Sequence, residues 1–583
     1  MVLRSIDLLA GLSLAIVLVV IAVYSYVSAE FAIVAFARAS IYCMYLCLGT
    51  FFVSAVRVHR SASAAGLFRV NYRDAAIVTL TAIAVTLSCI WLVGLSFAVL
   101  ADEAHLVSIS QGLYESGEPR VLHQAIRVDS EYTALEEMVP TRPLLFPTLI
   151  LPLHSLLGYD SQNGQILNAL LFIVLLSGVG MFAMNALSIH GAIALQLCVA
   201  AQPLLIWSAM SGGFDMLAMM MLALAVTAFW IDIKLKNSSS AWFLWSVLLA
   251  YSMVRYESPL IVALIGFCFV LQRRRDGVKR LTYISPLLLT AFSLYPILWQ
   301  YLLADHKLTR DREGARFSFD FFITHTGELF THLFTKDAPF NPLISGAFVV
   351  GLIVFGFRQL TSRRHIGLLK NRWLLLGLAC SAGLTALYLS YWAGEVGNAV
   401  SGRFFLVFGF SLSLIAVGTY LLLTARSQVA AVIAVAFSLS AFGVGVFQVK
   451  NNGYFTSSLA PWELRCINQY IDAHPGEGKL YVYYLPVEIT MRGESAARAR
   501  SVNEETSAFA AAVQHSNINE IIVFQVIFKE TGQVHPLTAL RPDITMELLE
   551  SYEFGLYEFR VSRVTRLGNL EWPSPKPAVG VDG

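Results

Sequence analysis

The chain has 583 residues, of which 56% are hydrophobic and 14% charged, and its formal net charge is +2. Its mean hydropathy is +0.64. These values exclude an ordinary soluble protein, and basic residues spread among short loops give nucleic acid no basic domain to bind. The apolar residues fall in blocks of roughly 17–25, enough for a helix to cross about 30 Å of hydrocarbon, rather than in the alternating segments of an outer-membrane barrel.

Residues 6–27 form the first apolar run, preceded by Arg4. The run is longer than the usual core of a signal peptide, about 7–15 residues, so it reads as an uncleaved anchor. A second span, 39–56, leads into Arg57, Arg60, Arg69 and Arg73, which the positive-inside rule places in the cytoplasm. The third span, 74–100, therefore exits and delivers Asp102 and Glu103 to the far side. The outer loop 101–143 contains two helical patterns, Leu106, Ile109, Leu113 and then Val128, Tyr132, Leu135, Val139. Both suit helices lying along the interface. Pro143, Pro147 and Pro152 then make a straight span improbable, and a shallow or re-entrant segment is expected.

Further spans are expected at 163–188, 190–209 and 215–233, the last ending at Lys234 and Lys236. Two short helices within 241–272 meet near Arg255, Tyr256 and Glu257 and end in the basic run at Arg273. A span at 281–303 exits into a second outer loop, 304–342. The remaining spans are 343–357, 373–392, 404–424 and 428–448. Each strongly basic short loop falls on one side, giving about thirteen spans with the amino terminus inside. From about residue 450 the composition is that of a soluble domain. Residues 460–473 read as a helix, 479–485 and 520–526 as strands, 504–514 as a helical stretch and 552–564 as a strand or hairpin. Six of the seven cysteines lie in apolar runs, so no disulfide framework is implied.

The expected fold is thus a polytopic α-helical membrane protein of about thirteen transmembrane helices, with interfacial helices in the first outer loop and a small C-terminal extracytoplasmic α/β domain. Residues 1–73 hold two additional helices and a cytoplasmic loop, 74–449 the transmembrane core, 450–572 the α/β domain and 573–583 a disordered tail.

Asp102 and Glu103 form a carboxylate pair with water on one side and hydrocarbon on the other. Either acid suits a general base that takes a proton from an acceptor hydroxyl, while a helix cap is the alternative reading of Asp102. His105, one turn on, can orient Asp102, bind a metal or simply be an interfacial polar residue. Asp215 is an acid at the outer end of a span, placed to orient an acceptor, hold a metal or cap its helix. Arg255 and Glu257 suit an internal ion pair or a ligand contact. Lys307, Arg310, Arg312 and Arg316, with His306, put positive charge on the side where it carries no topological signal, as a phosphate clamp or a solvated loop would. His325 and His332 are weak metal candidates. No cofactor is required by any motif, and a divalent metal is left open.

The stretches DEAHLVSISQGLYESG, RPLLFPTLILPLHSLLG and SGGFDMLAMMMLALAV, in this order, resemble the glycosyltransferase-C superfamily. The nearest branch is that of the protein O-mannosyltransferases and aminoarabinose transferases. The resemblance covers about 74–425. Members take a sugar from a polyprenyl or dolichyl phosphate and transfer it, usually with inversion, on the extracytoplasmic face. A first-loop carboxylate is their catalytic residue, and Asp102 and Glu103 match its position. Arg142 opens the segment where relatives often read Lys-Pro-Pro-Leu-Tyr, which makes it a substrate-binding candidate. Arg403 resembles the Arg-aromatic motif after the last outer loop, placed for a lipid phosphate, or else an interfacial arginine. The chain departs from the family in its two extra N-terminal spans and in lacking that lysine and one proline.

The resemblance implies an inverting glycosyltransferase of a bacterial inner membrane. Its partners would be a polyprenyl-phosphate-linked sugar, a glycan, lipid or protein acceptor, and membrane lipids. The alternatives are a polytopic transporter or lipid flippase, which would carry charges deep in several spans, and a non-catalytic scaffold.

Overall fold

A computed structural model describes residues 29–67, 71–98, 100–128, 131–138, 140, 142–277, 315–335, 339–361, 372–423, 427–456, 459–475, 478–504, 513, 518–567 and 570–571. The expected spans 6–27 and 281–303 and the tail 573–583 lie outside these residues. The chain divides into two compact units, one comprising Met1–Ala98, Thr141–Ile150 and Gln162–Ser457, the other Val99–Pro140, Leu151–Ser161 and Ser458–Gly583.

The first unit is helical. Among the described residues six helices are long and apolar enough to cross a membrane: Tyr72–Val93, Asn163–Ala183, Asp215–Leu235, Arg372–Leu389, Ala399–Tyr420 and Gln428–Asn451. Some of the unit's helices begin where a small polar residue satisfies an orphan amide. Asn71 accepts from Arg73 N at 3.2 Å and Asn237 from Ser240 N at 2.9 Å. Between Asn163–Ala183 and Tyr72–Val93, Gly180 leaves space that a side chain would lose, since a Cβ there would stand 2.6 Å from Val78. Gln196 Nε2 pins the same junction, donating to Val78 O and Leu176 O, both at 3.0 Å.

The expected single span at 190–209 is instead broken. Helices Ile189–Ala200 and Pro203–Ala209 bend by 78° at residues 201–202, and counting the pair as one span raises the total to seven. Pro203 cannot donate to the preceding turn, which frees carbonyls in an apolar setting, and protein groups satisfy them. Asn341 Nδ2 donates to Ala201 O at 2.9 Å and to Ala441 O at 2.7 Å. Gln202 Nε2 donates to Ser413 Oγ at 3.0 Å.

The second unit is built on an eight-stranded sheet. Its strands are β1 (Val121–Val128), β2 (Glu131–Met138), β3 (Lys479–Tyr483), β4 (Ser495–Arg498), β5 (Glu520–Phe528), β6 (Ile544–Phe554), β7 (Tyr557–Leu567) and β8 (Leu570–Glu571). Their order is β2-β1-β4-β3-β5-β7-β6, with β8 on β7. β3 runs parallel to β4 and β5, and the other pairings are antiparallel. Leu480, Val482, Ile521 and Val523 pack on one face; Tyr481, Tyr483, Ile522 and Phe524 pack on the other with helix Leu459–Ala473. This is the period-two alternation of a sheet covered on both sides. Most of the expected stretch 504–514 lies outside the described residues.

The first outer loop differs from expectation in two respects. The described part of the second helical pattern, Val128, Tyr132 and Leu135, lies on two antiparallel strands: its spacing of three and four passes from β1 to β2. β1 pairs along its length with β2 and at Ala125 with Ala496 of β4, while the side chains of Ser108, Thr490 and Ser495 satisfy backbone groups of Leu122 and Arg127. The first pattern is a helix, Leu100–Ser116, but it does not present one apolar face. From Asp102 to Leu113 every residue except His105 is buried, as in a core helix rather than one lying along an interface.

Candidate functional site

In the first unit, four segments bring charged groups together. Asp215 opens helix Asp215–Leu235 behind the turn Ser211-Gly212-Gly213-Phe214. Asn168 holds that turn, its Nδ2 donating to Ser211 O and Gly213 O, both at 2.6 Å. Gly164 packs against the same turn, a Cβ there making ordinary contact with Gly212 Cα at 3.6 Å. The carboxylate of Asp215 thus sits at the positive end of a helix. Arg255 and Glu257 lie in the link between helices Ser238–Ser252 and Ser258–Arg275. Arg403 begins the short 3₁₀ turn Arg403–Phe405, directly after the short helix Ala399–Gly402.

Arg255 donates through Nη1 to Asp215 and through Nε to Glu257. Arg403 Nη1 is 3.6 Å from the other oxygen of Asp215. Tyr388, the penultimate residue of helix Arg372–Leu389, donates its hydroxyl to Glu257. Three rings surround the Arg255 guanidinium, Phe214 at 5.0 Å, Phe404 at 5.4 Å and Tyr388 at 5.9 Å, where their π faces favour a cation. Asp215, Arg255, Glu257, Tyr388, Arg403 and Phe404 line one pocket, together with Tyr251. Asp215, Arg255 and Arg403 are all buried. Two guanidinium groups against two carboxylates leave the cluster formally neutral, as low-dielectric surroundings require. Arg142 Nη1 lies 3.4 Å from the hydroxyl of Tyr256, the residue between Arg255 and Glu257.

Asp102 and Glu103 belong to the second unit, in the first turn of helix Leu100–Ser116. Both are buried, Asp102 at 9% exposure and Glu103 at 1%. A solvated acid pair is therefore not what the chain makes of them. His105 is partly exposed, and its ring meets that of His123 edge-on with centroids 5.4 Å apart. Burial, reinforced by nearby Arg498, pushes the His123 imidazole down to about 4, so it is neutral at physiological pH.

Of the second-loop cluster, Lys307, Arg310 and Arg312 lie outside the described residues. Arg316 is exposed, and its carbonyl accepts from Trp392 N at 3.0 Å. His325 is buried, and its Nδ1 donates to Leu389 O at 3.0 Å. Among the described residues no group of three or more His, Cys, Asp or Glu is gathered for a metal.

Sequence reasoning did not single out Tyr388, Phe404 or Phe214. Phe404 could have been found as the aromatic neighbour of Arg403; Tyr388 has no local signal. Nor did it find the pairing of Asp232 with Arg273. Arg273 sits in a basic run that reads as a topological marker, yet its side chain is 1% exposed. It also donates to Lys236 O at 2.8 Å and Asn237 O at 2.9 Å, satisfying carbonyls at a helix end.

Apolar helices of membrane-spanning length, joined to a unit with a mixed sheet, define a polytopic helical membrane protein. No protein-family model and no curated protein matches the chain. Among solved structures, the chain is similar to the ArnT of Cupriavidus metallidurans bound to undecaprenyl phosphate, at 14% identity and a TM-score of 0.49, over 83% of this chain and 97% of that one. It is also similar to the same ArnT in its apo state, at 16% identity and a TM-score of 0.44, with the same coverage. Both likenesses are distant.

Proposed function

We propose that this chain is a membrane glycosyltransferase that moves a sugar from a polyprenyl-phosphate donor to an acceptor hydroxyl on the extracytoplasmic face. The observation that carries this reading is the convergence of Asp215, Arg255, Glu257, Tyr388 and Arg403, from four segments, in one aromatic-lined pocket at the ends of apolar helices. Its charged groups suit a polar group borne on a lipid, for which the pocket, now little larger than a water molecule, has to open. The buried acids Asp102 and Glu103 and the resemblance of their stretch to glycosyltransferase-C first loops support the same reading.

In this mechanism one of the two acids takes the acceptor's hydroxyl proton. The acceptor oxygen attacks the anomeric carbon from the face opposite the phosphate, inverting it. The carbon–oxygen bond to the phosphate breaks, and the lipid phosphate leaves with the electron pair. Arg403, helped by the basic residues of the second outer loop (Lys307, Arg310, Arg312 and Arg316), holds the departing charge, which builds as the bond breaks. Arg142, Asp215 and Arg255 with Glu257 bind the donor or acceptor. The host membrane is a bacterial inner membrane, and the acceptor a glycan, lipid or protein.

A transporter would use charges buried along its spans, and Asp232–Arg273 is such a pair. Its bonds to Lys236 O and Asn237 O account for it as the joint between two helices, leaving the transfer reading the better supported. The test is to complement cells lacking the chain with native protein, Asp102→Asn or Glu103→Gln at matched membrane expression, and to quantify surface glycans and glycolipids by mass spectrometry. Loss of the base should cost about 10²–10⁴-fold in transfer. If both variants restore every sugar that the native chain restores, neither acid is the base; if no surface sugar depends on the chain, the transferase reading fails.

A further inference from the structure

Two consecutive residues of β1, Leu122 and His123, touch both the acid-bearing helix and the C-terminal part of the second unit, and the next, Gln124, touches the latter. Leu122 N donates to Ser108 Oγ of that helix at 3.1 Å, while Leu122 O accepts from Thr490 Oγ1 at 2.8 Å. His123 meets His105 on one side, and on the other Arg498 Nη2 stands 2.9 and 3.0 Å from its two ring nitrogens. Gln124 accepts from Arg498 N at 2.8 Å and donates to Glu136 at 2.6 Å and Ser501 Oγ at 3.0 Å. Arg498 is itself held by Glu136 of β2, at 3.5 Å. Arg498 Nη2, nearly equidistant from the two imidazole nitrogens, holds the ring by both, as a single bond at one edge would not.

We propose that Arg498 is a positioning residue for the Asp102–Glu103 pair, fixing His123 and through it His105, which stands one helical turn from Asp102. The proposal rests on the reading that those acids take the acceptor's proton. It makes the C-terminal segment part of the apparatus that aims the acids, rather than an accessory module. The groups facing His123 are Arg498 from β4, Glu136 from β2 beyond it, and His105. Without Arg498 the His123 ring can turn, and His105 loses the fixed ring it packs against. The helix then no longer presents its first turn in one orientation.

The test uses the full chain. Hydrogen exchange with mass spectrometry on detergent-solubilised protein reports on helix Leu100–Ser116, and surface-sugar quantification in complemented cells reports on transfer. Arg498→Ala should speed exchange in that helix without changing it in the β6–β7 hairpin. It should also lower product about 10- to 100-fold, as a misaimed catalytic group does. Arg498→Lys keeps a cation for Glu136 but lacks the guanidinium that holds the ring, and should fall between. Arg541→Ala, which removes an exposed pair with Asp543, should match native protein in both measurements. Unchanged exchange in the helix overturns the proposal. So does undiminished product in Arg498→Ala when Asp102→Asn or Glu103→Gln loses it. Full product from both acid variants instead defeats the reading of the acids, and the positioning role falls with it whatever the exchange shows.

Discussion

Asp215 bridges two arginines: Arg403 Nη1 stands 3.6 Å from one carboxylate oxygen, and Arg255 Nη1 bonds the other. The three charges are not equivalent. Arg255 serves two carboxylates, Asp215 and Glu257, so its loss leaves one buried and one partly buried acid with only Arg403 to offset them. Losing Asp215 leaves Arg255 still paired with Glu257. Losing Arg403 leaves Asp215 still bonded to Arg255. Breaking a buried pair costs about 3–5 kcal/mol because the surviving charge stays buried. The expected order of destabilisation is therefore Arg255→Met, then Asp215→Asn, then Arg403→Met, with the first near that full figure. Thermal unfolding in detergent gives the order directly. Arg403→Met as the most damaging of the three would contradict the arrangement.

At the break between Ile189–Ala200 and Pro203–Ala209, Gly445 admits the carbonyl of Ala201. A Cβ at position 445 would stand 2.2 Å from that oxygen, far inside contact distance. The oxygen belongs to the backbone and accepts from Asn341, so it cannot swing aside as the end of a long side chain would. Gly445→Ala should cost about 1–3 kcal/mol through overpacking. Gly443, two residues earlier in the same helix, has nothing within 4 Å of its would-be Cβ. There alanine should be neutral or slightly stabilising, since it favours helix over glycine. Melting temperatures of the two variants, side by side, check the contrast. Equal shifts would show that helix propensity, not the contact, decides.

The apolar spans were legible because a membrane helix announces itself by the length of one run, as in Tyr72–Val93 and Asp215–Leu235. The first loop was less so. Leu106, Ile109 and Leu113 do lie on a helix, but the similar spacing from Val128 to Tyr132 passes from β1 to β2. Only strands distant in sequence, such as β4, complete the sheet that decides the matter. β4 itself, Ser-Ala-Ala-Arg, is too short to show alternation. At the pocket, Asp215, Arg255, Glu257 and Arg403 could be singled out because charge at the end of an apolar run is costly. Their mutual pairing spans from 40 to 188 positions of sequence (215 to 255, and 215 to 403), and no local pattern encodes it. Tyr388 is one aromatic among many until Glu257 is seen to receive its hydroxyl.

In the C-terminal part of the second unit, Glu488 is wholly buried, and neither of its carboxyl oxygens has a hydrogen-bond partner among the described residues. Nearby Glu463 accepts from the hydroxyls of Tyr483 and Tyr484. Burial, with a further contribution from Glu463, holds the Glu488 carboxyl well above the usual carboxylate range. In the unfolded chain it ionises at about 4.3. Between that value and its folded value the native state keeps a proton that the unfolded state has released. Stability contributed by this group is thus fully present at low pH and declines as pH rises through that window. Glu488→Gln keeps the shape, removes the proton and so flattens the decline. The variant should unfold at a temperature close to that of native protein near pH 4 and several degrees higher near pH 8. Thermal unfolding of the full chain across that range, followed by a probe in the sheet domain, is the measurement. A variant that melts below the native protein near pH 8 would mean that an ionised Glu488 is compensated in the fold, and would refute the protonated assignment.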